Sequence, residues 1–169
     1  MFPPDSIGSK SAHDWGYLAG LWHDLGKFAP AWQAYLRSKS DIHSDEVSGK
    51  VDHSTAGAQH AVKSHAVLGH LFAYSIAGHH SGLFDGKSNN ACQAARLRKA
   101  DLPDYQNAPV EITAQSVPPL PAFLPRDAYS ASFFTRMIFA CLVDSDFLAT
   151  EAHESLTGEN PESNTGQSS

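Results

Sequence analysis

Cysteine is scarce. Cys92 and Cys141 are the two in a chain of 169 residues, too few for a disulfide framework or a thiolate zinc site, and both fall in segments that read as helix, so both are expected as buried thiols. Long apolar runs are missing as well. No stretch approaches the ~20 consecutive apolar residues that would span a bilayer, and the first ten residues lack a signal peptide's charged start and apolar run. A soluble, cytoplasmic protein without a membrane partner is expected by default. Basic charge is also short, with 12 Lys and Arg against 18 Asp and Glu for a net charge of −6, and such a balance argues against a phosphate-rich partner. The deficit is concentrated at one end. Glu151, Glu154, Glu159 and Glu162 lie beyond residue 150 with no base among them, so residues 1–150 carry 14 acids against 12 bases.

What is present is enough apolar material for one core, 41% hydrophobic and 10% aromatic, and roughly 100–200 residues make one domain. Ten histidines, several beside acidic residues, point to metal. Trp15, Leu18, Leu21, Trp22 and Leu25 recur at helical spacings, predicting a helix over 14–25 with Asp14 as N-cap and Gly26 as stop. A second helix is predicted over 31–37 after Pro30, then a polar loop over 38–51. Ser54 or Thr55 can cap a third helix reaching about residue 64, and a fourth runs over 66–77 into the Gly-punctuated string HHSGLFDGKSNN. Another helix is expected over 91–99. Pro103, Pro109, Pro118, Pro119, Pro121 and Pro125 make residues 101–126 a Pro-rich crossing loop. The most apolar segment, 128–151, reads as a central core helix, with Phe133, Phe134, Phe139 and Phe147 as packing, and Trp32 and Tyr35 are read as core too. The fold class is all-α: an N-terminal segment 1–13, a domain 14–153, and a polar tail or linker 154–169.

His23 and Asp24 close the first helix, and Lys27 follows at positions i+4 and i+3 from them. Alone, the pair reads as an ordinary helix-end hydrogen bond before it reads as a site. His53 precedes the Ser/Thr cap, and His79-His80 sits where a helix gives way to glycine. Neighbouring side chains on a regular helix diverge by ~100°, so a consecutive pair converges best at such an end. Asp144 and Asp146 lie in the apolar last helix, where a carboxylate is costly unless a cation or hydrogen bonds compensate it. Mixed imidazole and carboxylate donors suit Mn, Fe, Co, Ni or Zn. No Ser/His/Asp hydrolase string is present, and the DGKS at 85–88 lacks the glycine spacing and preceding strand of a phosphate loop. Lys87, Arg96, Arg98 and Lys99 form the best basic cluster for a nucleic-acid backbone, and a solvated helix face is the competing reading. His43, His60, His65, His70 and His153 are read as surface or satisfied core.

The strings LWHDLGKFAPAWQAYL, HSTAGA, AGHHSGL and CLVDSDFLATE, in this order, resemble the HD-type nuclease domain of the CRISPR-associated nuclease-helicase of type I systems, within the HD phosphohydrolase superfamily. The resemblance covers residues 14–151. It implies an HD-domain helical bundle with two divalent transition-metal ions (Mn, Fe, Co or Ni, with Mg admitted) that cuts single-stranded DNA, in partnership with a helicase domain or subunit and a CRISPR surveillance complex. It implies His23, Asp24, His53, His79, His80 and Asp146 as metal ligands, Asp24 bridging the ions, His79 and His80 on the second, and Asp146 rather than Asp144 on the first. Lys27 would act with Asp24 in catalysis by neutralising a phosphate oxygen, and Lys27, Lys87 and Arg96 would hold substrate.

One family feature has no match. An upstream histidine completes the first metal's shell in that family, and His13, ten positions before His23, stands ~15 Å away along a helix. An impaired nuclease, truncated at its N-terminus, is therefore expected. The alternatives are an HD phosphohydrolase acting on nucleotides, and a truncated docking module without catalysis.

Overall fold

The computed structural model describes residues 7–40, 52–88, 92–102 and 104–157, and among these the only regular structure is helical. Seven α-helices follow in order: α1 (Ile7–Trp22), α2 (Pro30–Ser40), α3 (Ser54–Ser64), α4 (Gly69–Gly78), α5 (Gln93–Leu97), α6 (Val110–Thr113) and α7 (Ala128–Thr157), with a 3-10 turn, Leu25–Phe28, between α1 and α2. The all-α expectation holds.

The apolar spacing read from the sequence builds the core. Trp15, Leu18 and Trp22 project from one side of α1, and Phe72 and Ile76 from α4, all essentially sealed from solvent. Trp15 stacks on Phe72 at 4.3 Å between ring centroids and meets Phe134 of α7 edge-on at 5.1 Å. Trp22 contacts Phe72 at 5.6 Å, so one phenylalanine joins both indoles. Truncating a buried aromatic of this kind to alanine typically costs about 3–5 kcal/mol. A buried indole N–H needs an acceptor, and here it comes from the Pro-rich crossing segment. Trp15 Nε1 donates to the Pro119 carbonyl at 3.0 Å and Trp22 Nε1 to the Ile112 carbonyl at 2.9 Å.

Close approach of α3 to its neighbours follows from two glycines. A Cβ on Gly57 would collide with the Trp22 carbonyl of α1, and one on Gly69 with the Ala61 carbonyl at the far end of α3. Such contacts exclude any larger side chain. They bring the start of α3 beside the end of α1.

Several local expectations are corrected. α1 begins at Ile7, so Asp14 lies inside the helix rather than capping it. Gly26 does not stop the chain's winding but sits within the 3-10 turn. α4 starts at Gly69, because residues 66–68 form a turn beside His65, whose Nδ1 accepts the Val67 and Leu68 N–H groups. The crossing segment contains the short α6, which opens directly after Pro109, where a missing N–H costs nothing. α7 is not central. One face packs through Phe134, Ile138 and Leu142, while Phe133, Met137, Phe147 and Leu148 are at least half exposed. Cys141 follows Phe133 and Met137 at i+4 spacing and is exposed with them, whereas Cys92 is buried as expected. The tail from residue 158, most of the polar loop and His43 lie outside the described residues.

Candidate metal centre

α1 ends at Trp22, and the next two residues supply the first donors. The His23 N–H still bonds the Ala19 carbonyl at 3.0 Å, but Asp24 has left helical geometry at φ −105°, ψ 15°. Consecutive side chains that would diverge on a helix therefore meet: His23 Nε2 lies 3.1 Å from Asp24 Oδ2. Trp22 and Leu25, both fully buried, anchor this junction from either side. A Cβ on Gly26 would strike the backbone of His53, so glycine here lets the turn rest on the start of α3.

His53 is set by a cap of its own. The expected Ser54 or Thr55 cap is replaced by Asp52, whose carboxylate accepts the Thr55 N–H at 3.1 Å and the Thr55 hydroxyl at 2.8 Å. An acid three residues before the recipient N–H reaches it without strain, and its charge favours a helix N-terminus. Lys99 Nζ lies 2.6 Å from the same carboxylate. Burial works against the charge on Asp52, yet Lys99 and Thr55 outweigh it and draw its pKa down to about 2.

The paired histidines follow α4 directly, His79 as its C-cap and His80 in the turn beyond. Gly82, at φ +87°, accepts the left-handed conformation that terminates this turn, and its N–H bonds the Gly78 carbonyl at 2.7 Å. The His79 and His80 rings thereby sit 3.9 Å apart instead of fanning out.

From these three anchor points, and from α7, the side chains converge. His80 Nε2 is 3.0 Å from His53 Nε2, His53 Nε2 is 3.7 Å from Asp24 Oδ1, and Asp146 Oδ1 of α7 is 3.6 Å from His23 Nε2. Among the described residues, two groups have one donor atom per residue close enough for a single ion: His53, His79 and His80, and His23, His79 and Asp146. Asp24 stands between them, Oδ1 toward His53 and Oδ2 toward His23. His79 belongs to both groups, whereas the sequence assigned it to the second alone.

The hydrogen bonds fix which nitrogens face inward. His23 Nδ1 donates to the Gly20 carbonyl and His79 Nδ1 to the Ile76 carbonyl, each at 2.6 Å. A carbonyl only accepts, so the neutral ring carries its proton on Nδ1 and turns the Nε2 lone pair toward the centre. His23 Nε2, His79 Nε2 and Asp24 Oδ1 are all buried without a hydrogen bond. Lone pairs gathered in a buried space are costly unless a proton or a cation joins them, and the mixed nitrogen and oxygen donors fit a divalent transition metal.

At His23 and Asp24 the charge balance favours a proton or a cation between the two, and at His79 it favours the neutral ring. Burial opposes protonation of His23, but its contact with Asp24, the Gly20 carbonyl and Asp146 prevail and raise its pKa. Burial also opposes ionisation of Asp24, and there His23 and Lys27 prevail, holding the carboxyl far below the usual range. Burial dominates at His79 and lowers its pKa to about 4, leaving the neutral ring that a metal requires near pH 7.

All six residues expected from the resemblance come together here. Asp144 is exposed on α7 and lies outside both donor groups. Lys27 Nζ lies 2.7 Å from Asp24 Oδ2. Lys87 is exposed on the bend after α4, while Arg96 is half-buried: Nη1 donates to the Ala77 carbonyl at 2.8 Å and the guanidinium covers the Phe84 ring at 4.4 Å. Arg96 and Lys99 line a cleft of about 250 Å³ together with Asp52, His53, Ser54, His80 and Ser81. His13 is exposed and stacks on Tyr17, remote in role from the centre. His60 is satisfied core, held by the Tyr105 hydroxyl at 3.1 Å and the edge of Trp22.

Two contributors were missed. Trp32, read as core, packs its ring 4.6 Å from His53. Asp52, three positions before Thr55, was legible as a cap from its spacing alone.

A helical bundle that gathers a His-Asp junction, a capping histidine, a helix-end histidine pair and a late aspartate defines a metal-dependent hydrolase of the HD type. The family model described as "Cas3, HD domain" matches residues 4–151, and the chain belongs to that family. It is accordingly a metal-dependent nuclease domain associated with type I CRISPR systems, and membership implies association with a helicase module and a CRISPR effector complex. A comparison with curated proteins yields no match. Among the described residues no helix is long and apolar enough to cross a membrane.

Proposed function

We propose that this centre hydrolyses phosphodiester bonds of single-stranded DNA, in the strand displaced during interference. The observation that carries the reading is the position of Asp24, with one carboxylate oxygen toward each of two donor groups. His23 and Asp146 would hold one ion, His53 and His80 the other, with Asp24 between and His79 serving either. When bound, two such ions lower the pKa of a coordinated water and neutralise charge on the scissile phosphate. Mn, Fe, Co or Ni suits these donors, with Mg admitted.

The chain's own groups set up that chemistry. The Gly20 and Ile76 carbonyls hold the imidazoles in the ligating tautomer. Lys27, fixed by Asp24, places an ammonium where negative charge grows on a nonbridging phosphate oxygen. Arg96 and Lys99, beside His53 and His80, offer cations to the strand's backbone, and Lys87 extends that path.

The test is cleavage of circular single-stranded DNA with Mn²⁺, by the wild-type chain and by Asp24→Asn, beside a panel of nucleotides and cyclic dinucleotides. Cutting by the wild type and its loss by at least about 100-fold in the variant is expected. Turnover of nucleotides without DNA cutting would overturn the substrate assignment. Binding of DNA without metal-dependent cutting would overturn catalysis altogether.

A further inference from the structure

A second cleft, of about 420 Å³, opens between α4, the 82–88 loop and the first turns of α7. Its walls are Leu71, Tyr74, Leu83 and Phe84, with Ser132, Thr135 and Arg136 on the α7 side. Two aromatic rings, two aliphatic chains and a cation at the rim match an unpaired base with its phosphate better than they match a charged metabolite. Among the described residues, no hydrogen bond or ion pair engages the Tyr74 hydroxyl or the Arg136 guanidinium.

One contact links this cleft to the one beside the metal centre. Arg96, which lines the cleft beside His53 and His80, covers one face of the Phe84 ring, which lines this one. The chain supplies the same link. Phe84 lies four residues after His80, and four residues span at most about 14 Å. Gly82 reverses the chain between them, and Leu83 packs back on Gly78 of α4, 3.4 Å from where a Cβ would stand. A strand whose phosphate rests at the metal centre has only to pass Arg96 to reach this cleft, a distance of a few nucleotides.

We propose that the cleft between Tyr74, Phe84 and Arg136 is a nucleobase subsite, holding one unpaired base of the strand at a fixed offset from the scissile phosphate. This rests on the single-stranded DNA reading above and adds where the strand is gripped. Stacking is tolerant of base identity, so the subsite selects an unpaired base and not a sequence.

The experiment walks a single abasic position along a fluorescent oligodeoxythymidine, with binding measured by anisotropy on the Asp24→Asn chain and cleavage on the wild type. One position should stand out, its base removal weakening binding about tenfold. Phe84→Leu keeps apolar volume and loses the ring; it should weaken the intact oligonucleotide by a similar factor and the one abasic at that position hardly at all, a coupling that mere loss of fold does not produce. Arg136→Ala, at an exposed position, provides the same comparison if Phe84→Leu melts early. A flat abasic profile with cutting intact overturns the subsite alone, and would leave an apolar protein segment as the cleft's occupant. Failure to bind or cut any single strand overturns both readings.

Discussion

Gly26 and His53 meet backbone to backbone: a Cβ on the glycine would fall onto the histidine's carbonyl oxygen and α-carbon. This contact brings the His23-Asp24 junction against the start of α3, and it gives the glycine of the H-D-L-G-K string a geometric reason. Gly26→Ala should cost about 1–3 kcal/mol, since neither backbone can move freely. Mn²⁺ binding should weaken with it. Gly20→Ala, in the last turn of α1 with open space around its Cβ, should instead stabilise by up to about 1 kcal/mol. Thermal melts and calorimetric titration of the two variants check both.

His79 has one lone pair to give, because its Nδ1 is committed to Ile76. The two donor groups that include it must therefore share it. Titration with Mn²⁺ should show two steps of unequal affinity, and His79→Ala should weaken both, whereas His80→Ala should weaken one. Two identical and independent sites in the wild type would contradict this.

Asp146 and Asp144 differ by half a helical turn and should differ in consequence. Asp146→Asn should lower metal affinity about 10- to 100-fold, since its Oδ1 lies 3.6 Å from His23 Nε2. Asp144→Asn, on the exposed side of α7, should leave metal binding and melting unchanged.

Asp52 predicts a pH dependence. Its folded pKa of about 2 lies below the ordinary 3.8, so the unfolded chain binds the proton more readily and acid favours unfolding. The contribution is complete above about pH 4 and fades as pH falls toward about 2. Asp52→Ala, which removes the cap and the Lys99 contact, should destabilise by about 1–2 kcal/mol at pH 7. The gap between wild-type and variant melting temperatures should close as the solution is taken from pH 5 to pH 2.

Much of this centre was legible in the sequence because its donors sit at punctuation. His23-Asp24 precedes a glycine, His53 precedes a Ser/Thr run, and His79-His80 precedes a Gly loop, so each signal for a helix end also marked a donor. Periodicity likewise located Trp15, Leu18, Trp22 and Leu25 in the core. The misses have a common cause. Spacing shows that α7 is apolar but not which of its faces finds a partner, so Phe133, Phe147 and Cys141 were assigned inside. The sharing of His79 was hidden for the same reason, since it depends on α4 and α7 packing together. Trp32 gave only an aromatic at helical spacing, and nothing local told that its ring would rest against His53.

The segment over 101–126 contributes no donor to the metal centre, yet the carbonyls of Ile112 and Pro119 secure the indoles of Trp22 and Trp15. It works as an external clasp on α1, whose last residue adjoins His23. A protease nick in that clasp would leave every ligand in the chain and still let the first helix slacken, so loss of ion binding would precede any loss of the donors themselves.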